Sequence, residues 1–419
     1  MLAMVGWLLP PVSTALSAPI KHFKVIYKFT GGKDGAFPAA ANLFQDAAGN
    51  LYGTTVFGGD VKCSEPYAPL PGCGVVFKLD AAGKETILHT FEGVSDGAEP
   101  YGSIIQDAEG NVYGTTDWGG SGSACSCGVV FKLTPKGKET TLYNFTGQAD
   151  GGLPVAGLVM DERGNLYGTT SLGGDLNGVC GTYSGCGTVF KVDSNGKETV
   201  LYAFTGGADG NSPEYGPLVR DSAGNLYGTT STGGNCVGGE GCGIVFKVST
   251  EGTETVLYRF HDGTDNAAYP NAGLIRDRGG NLYSTTQEGG DPTCDCGLVF
   301  KLKRDGKEKV LHNFTGGPSG SDPYYGQLTQ DAVGNLYGTT LTGGDSSCGG
   351  ASGCGVVYKL TALGKEKVLY TFTGYSTSLW AESGVIRDAA GNLYGTAARG
   401  GNLSACDGNG CGLVYEVSP

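Results

Sequence analysis

Polar and apolar residues alternate along this chain in short runs that recur as a set. In the fourth copy, Glu198-Thr-Val-Leu-Tyr-Ala-Phe204 alternates and ends on an aromatic residue. The loop Thr205-Gly-Gly-Ala-Asp-Gly-Asn-Ser-Pro213 follows, then the apolar run Gly216-Pro-Leu-Val-Arg-Asp221. Ala223-Gly224-Asn225 is a turn, and Leu226-Tyr-Gly-Thr-Thr230 is a third run. A glycine-rich loop carries Cys236 and Cys242 and leads into Gly243-Ile-Val-Phe-Lys-Val248. Short runs rich in β-branched and aromatic residues, bounded by turn residues, predict four antiparallel strands. Helix is disfavoured, because Gly and Thr interrupt every segment and no apolar i, i+3, i+4 stripe survives.

The third run belongs to a heptapeptide, Gly-Asn-Leu-Tyr-Gly-Thr-Thr, complete at Gly49–Thr55, Gly164–Thr170, Gly224–Thr230 and Gly334–Thr340. Single changes mark Gly110–Thr116 (Val112) and Gly280–Thr286 (Ser284), and the copy at Gly391–Ala397 ends in Ala. Seven copies of one four-stranded unit predict an all-β, seven-bladed β-propeller spanning residues 19–419 as one body. The chain enters on an outer-type strand, Phe23-Lys-Val-Ile-Tyr-Lys-Phe29, and leaves on a third-type strand, Gly412-Leu-Val-Tyr-Glu-Val417. The N-terminal strand should therefore complete the last blade, residues 23–29 pairing with 412–417. That pairing hides two sheet edges.

Composition narrows the partners and the compartment. Apolar residues at 39% and aromatics at 10% exclude disorder, and the 77 glycines have no three-residue period, which excludes collagen. A net charge of −13 excludes a basic nucleic-acid footprint. The 14 cysteines fall two per repeat and indicate an oxidising compartment. Residues 1–18 read as a signal peptide without the usual basic start, with Leu8-Leu9 in its apolar core and Ala15-Leu16-Ser17-Ala18 at the cleavage site. Pro10-Pro11 breaks the only long apolar run, so no membrane span and no C-terminal anchor are expected. A monomer is expected.

Each cysteine pair lies between the second and third strands. Disulfides are expected for Cys63/Cys73, Cys180/Cys186, Cys236/Cys242, Cys348/Cys354 and Cys406/Cys411, stapling a long loop of high unfolded entropy. For Cys125/Cys127 and Cys294/Cys296 the small ring leaves bonding open. A metal site needs about four ligands, and each unit offers two Cys with no nearby His.

Loops alternate between the two ends of an up-and-down sheet. One end carries short uniform turns with Asp46, Asp107, Asp161, Asp221, Asp277, Asp331 and Asp388. Each Asp is read as capping its own turn rather than as part of a calcium ring. The other end carries long variable loops and most of the acid, which makes it the candidate working face. Its candidate ligand-binding residues are Tyr101, Trp118, Tyr215, Tyr269, Tyr324 and Trp380. Asp34, Asp96, Asp150 and Asp209 are candidate metal ligands, with calcium the cofactor they would suit. No catalytic residue is assigned: the sequence has no P-loop, dinucleotide fingerprint or His-Glu-x-x-His, and four histidines without a nucleophile motif.

The heptapeptide, followed by Gly-Gly, Cys, Cys-Gly-x-Val-Phe-Lys-Leu and Gly-Lys-Glu-Thr, resembles the GloVer tandem repeat of bacterial exported proteins over residues 22–419. More distantly, Asp-x-x-Gly-Asn-Leu-Tyr is similar to NHL, SMP-30 and virginiamycin B lyase-type propellers. The resemblance implies a secreted, periplasmic or cell-surface propeller of unassigned function. Members often carry a C-terminal anchor, which is not expected here. The favoured expectation is a non-enzymatic binder of a glycan, peptide or protein ligand through the acidic, aromatic loop face. The alternatives are a metal-dependent propeller hydrolase or lyase, and a structural envelope protein.

Overall fold

A computed structural model describes residues 22–38, 42–60, 62–63, 70–121, 125–181, 185–234, 242–261, 267–348, 352–374 and 380–418. The expected signal peptide and Cys236 lie outside them. Seven four-stranded antiparallel sheets are arranged as blades around an axis. Blade 4 is representative: inner strand Val219–Arg220, second strand Leu226–Thr230, third strand Ile244–Val248 and outer strand Glu254–Arg259, in that spatial order. Among the described residues helix is confined to short 3₁₀ turns, such as Gly317–Ser319 and Cys406–Gly408. No helix is long and apolar enough to cross a membrane.

The inner strands are only two residues long because seven of them crowd the axis. The third strands are the most buried, and each packs on both faces, with only its lysine-type position reaching solvent. The middle Gly of the heptapeptide is fixed by this packing. A Cβ on Gly228 would lie 2.5 Å from the Phe246 ring. Blade 5 alone carries Ser284 there, and its hydroxyl donates to the carbonyls of Ala272 and Gly273 at 3.0 and 3.1 Å.

Blades join through aromatic edges. Phe29, Phe91, Phe145, Phe204, Phe260, Phe314 and Phe372 end the outer strands and are buried. Each meets the third-strand ring of the next blade edge-on at 5.0–5.3 Å, as in Phe204–Phe246 and Phe314–Tyr358. The hydrophobic clusters accordingly mix residues of consecutive blades.

The ring closes as the sequence predicts. His22–Lys28 pairs antiparallel with Leu413–Ser418, from His22 opposite Ser418 to Lys28 opposite Leu413. The N-terminal strand thus supplies the outer strand of blade 7. The same register shift between third and outer strands recurs in every blade, including this composite one. A bulge there adds twist at the same radius all round.

Candidate ligand-binding mouth

The short-turn end is built by side chains that satisfy their own backbone. Asp221 Oδ1 accepts from the N–H of Ala223 and Asn225, both at 2.9 Å. Its Oδ2 accepts from Asn225 Nδ2 at 2.9 Å and the Tyr227 hydroxyl at 3.0 Å. Burial pushes this carboxyl up, but the combined hydrogen bonds outweigh it and hold Asp221 below the ordinary range. Asp46, Asp107, Asp161, Asp277, Asp331 and Asp388 repeat the arrangement.

At the other end the candidate metal ligands sit on the outer rim, one per blade boundary. Asp34, Asp150 and Asp209 each accept from the N–H and hydroxyl of Thr30, Thr146 and Thr205, and from Tyr27, Tyr143 and Tyr202. Asp96 is bound by His89 Nε2 at 2.9 Å and by the Glu92 and Gly93 N–H groups. The ring separates these four carboxylates. Each meets instead a glutamate from the next blade: Glu85, Glu139, Glu198 or Glu254. Two carboxylates per boundary fall well short of the six to eight oxygens calcium takes. Among the described residues no group of three or more His, Cys, Asp or Glu is placed to hold a metal.

Six disulfides are described: Cys63–Cys73, Cys125–Cys127, Cys180–Cys186, Cys294–Cys296, Cys348–Cys354 and Cys406–Cys411, with Cα separations of 5.2–5.6 Å. Both Cys-x-Cys pairs left open by the sequence are therefore bonded. The Cys236/Cys242 pair falls outside the described residues through Cys236. The second cysteine of each pair also organises the neighbouring blade. The carbonyls of Cys411, Cys73, Cys127, Cys186, Cys242 and Cys296 accept from the N–H of Phe37, Glu99, Leu153, Ser212, Tyr269 and Asp322. These six residues and Trp380 occupy one equivalent backbone position in the seven blades, all with φ between 53° and 63°. Positive φ in non-glycine residues is strained and persists only where the surroundings enforce it. Here the enforcement comes from both sides, since each carbonyl also accepts from the loop after the second strand, as in Asp117 N–H to Glu99 and Ala398 N–H to Trp380, both at 3.0 Å. Seven alike backbones thus present seven side chains of seven different types.

Just past these residues the chain turns onto the inner strands, and side chains of non-neighbouring blades meet over the axis. Tyr215 of blade 4 lies 4.1 Å, centroid to centroid, from Tyr325 of blade 6, which lies 3.6 Å from Tyr324. Their hydroxyl ends lie near one another around Tyr325. Tyr101 of blade 2 adjoins this group, facing Glu99, Asp117, Tyr215 and Glu382 of blade 7. Asp117 is 9% exposed, and its Oδ1 has no hydrogen-bond partner. Burial, with Glu99 and Glu214 nearby, pushes its carboxyl up to about 8. Burial pushes Glu214 up to about 7. Glu382 is also at about 7, raised by burial and partly offset by Arg399. The Arg399 guanidinium stacks on Trp380 at 4.5 Å and faces Phe37 at 5.9 Å. Below the tyrosines, Asn42 Nδ2 of blade 1 donates to Gln327 Oε1 of blade 6 at 3.2 Å, and Gln327 Nε2 donates to the Leu274 carbonyl at 2.8 Å. These hydrogen bonds link blades 1, 6 and 5.

The structure therefore brings Tyr101, Tyr215 and Tyr324 together and ties Trp380 to the group through Arg399 and Glu382. Tyr269 holds the equivalent strained position in blade 5, and Trp118 follows Asp117 with its side chain partly exposed. Glu99, Glu214 and Glu382 were not singled out from sequence. Their signal is position: each lies within two residues of the strained site, in the loop whose length varies between blades.

The fold matches known propellers. The extracellular domain of the hybrid two-component system BT3049 from B. thetaiotaomicron aligns with TM-score 0.54 and 14% identity, over 95% of this chain and 41% of that one. The extracellular domain of the one-component system BT4673 from the same organism gives 0.50 and 11%, over 93% and 39%. This chain spans about two fifths of either structure. No curated protein matches. The model of the Gloeobacter/Verrucomicrobia repeat matches residues 14–179, 67–294 and 177–405, so the chain belongs to the Gloeobacter/Verrucomicrobia repeat family.

Proposed function

We propose that this protein is a secreted or cell-surface propeller that binds a ligand, a glycan or a peptide, through the tyrosine-lined mouth. One observation carries the reading. Tyrosines and buried carboxyls from blades 2, 4, 6 and 7 converge at one end of the axis, on loops held in a strained backbone conformation. Pockets of convergent aromatic and acidic groups are where ligands settle. The disulfides and the likeness to extracellular domains support a location outside the cytoplasm.

The test is a glycan and peptide array, repeated with the triple variant Tyr215→Ala/Tyr324→Ala/Trp380→Ala. Loss of at least tenfold in retention with an unchanged circular dichroism spectrum is the expected result. Undiminished retention would reject this face. A second reading, a hydrolase or lyase, is favoured by one observation: Asp117, Glu214 and Glu382 titrate near neutrality, where proton transfer works best. It requires that an array ligand be chemically turned over and that Asp117→Asn abolish turnover while retention persists.

A further inference from the structure

We propose that the mouth recognises a sugar ring bearing a free, protonated amine, that is, an amino-sugar unit of a glycan. The proposal rests on the binding reading above and names its ligand class. Asp117 is its anchor. This carboxyl is buried, belongs to no ion pair, and leaves Oδ1 without a partner amid Glu99, Glu214, Tyr101 and Tyr215. A buried, unpartnered polar atom is costly unless something else completes it. Three carboxyls, Asp117, Glu214 and Glu382, stand against one guanidinium among the described residues, Arg399, already stacked on Trp380. The deficit is of positive charge, and an ammonium group supplies charge and three hydrogen-bond donors at once.

The shape argues for a ring over a long side chain. The acids are bordered by aromatic rings, Tyr215, Tyr324 and Tyr325 lying against one another beside them. A pyranose carries its amine on the ring itself and lies flat against phenol faces. Cation–aromatic attraction from Tyr101, Tyr215 and Tyr324 adds to the carboxylates.

Binding has a protonic signature. Asp117 holds its proton at neutral pH because burial and the neighbouring Glu99 and Glu214 disfavour a further negative charge. An incoming ammonium reverses that balance, and the proton leaves to solvent as the ligand docks. No bond to the ligand forms or breaks.

Titration calorimetry at pH 7 with glucosamine tetramer, N-acetylglucosamine tetramer and a tetralysine peptide decides the matter. Run in two buffers of different ionisation enthalpy, the free-amine tetramer should bind with proton release. The acetylated tetramer should bind at least tenfold more weakly. Asp117→Asn, and separately Glu214→Gln, should each weaken the free-amine tetramer at least tenfold, Asp117→Asn also losing proton release, with melting temperatures retained. Equal binding of both tetramers overturns the proposal, as does tetralysine binding without glucosamine binding. An array ligand that lacks an amine yet is lost in the triple tyrosine and tryptophan variant sinks the amine assignment and leaves the mouth standing. Glucosamine binding that the triple variant leaves intact sinks both.

Discussion

At three blade boundaries a tyrosine hydroxyl, that of Tyr27, Tyr143 or Tyr202, donates to an aspartate that faces a glutamate of the next blade, and His89 takes that place beside Asp96. Tyr27 is 3.2 Å from Asp34 and 2.8 Å from Glu85. A phenol has one proton to donate, so one of those contacts is completed only if a carboxyl is protonated. Glu85 is the candidate: burial, with Asp34 adding repulsion against the Tyr27 hydrogen bond, moves it to about 7 from 4.5, and Glu198 and Glu254 are likewise at about 7. A raised folded-state value means stability that is complete below 4.5 and is lost as pH rises through 7. The turn aspartates act oppositely. Their lowered values stabilise above the ordinary 3.8 and cease to as pH falls below it. The melting temperature should therefore peak near pH 4–5 and decline toward pH 8. Glu85→Gln/Glu198→Gln/Glu254→Gln should flatten that decline. A melting temperature that rises between pH 5 and 8 in the native protein would contradict this account. Much of the residue scale was legible beforehand, since Asp-x-x-Gly-Asn announces its own turn. The strained positions were not. A residue before proline is expected to be extended, yet Phe37, Glu99, Leu153, Ser212, Tyr269 and Asp322 all precede proline with positive φ. Their hydrogen bonds come from a preceding blade and a following strand, which local pattern does not contain.

Between blades, the repeated element is an aromatic edge inserted into its neighbour. Phe204 is fully buried against Phe246 and bridges blades 3 and 4. Phe204→Ala should cost about 3–5 kcal/mol in chemical denaturation. In blades 6 and 7 the receiving ring is a tyrosine, Tyr358 or Tyr415, fully buried with a hydroxyl that makes no hydrogen bond. Each hydroxyl points at the heptapeptide glycine, Gly338 or Gly395, where a Cβ would lie 2.5 or 2.4 Å away. Tyr358→Phe removes an unsatisfied polar group and should stabilise the protein by about 1 kcal/mol. A clear loss on denaturation would show that the hydroxyl has a partner after all. Strand number, order and antiparallel sense were readable from periodicity, because each strand repeats seven times. Which side chains meet across the axis was not, because Asp117, Glu214 and Glu382 are remote in sequence and belong to three different blades.

On the scale of the whole molecule, the ring depends on one pairing between the two ends of the fold. Removing residues 22–28 would leave Leu413–Ser418 as an exposed edge strand. Such a variant should form dimers or aggregates on size-exclusion chromatography. A synthetic peptide of residues 22–28, added during refolding, should restore the elution volume of the full chain. A variant that elutes and melts like the native protein would show that the pairing is dispensable.

That arrangement has a consequence in time. Of the strands of the ring, synthesis makes His22–Lys28 first and its partner Leu413–Ser418 last. Six blades can assemble as they emerge, while the earliest segment waits unmated for almost the entire length of the chain. The slowest step of maturation should therefore be this final junction, whose loop-closure cost no local contact can prepay. A chain stalled before its last strand would be a nearly complete propeller with a persistent open seam, which quality-control chaperones would recognise.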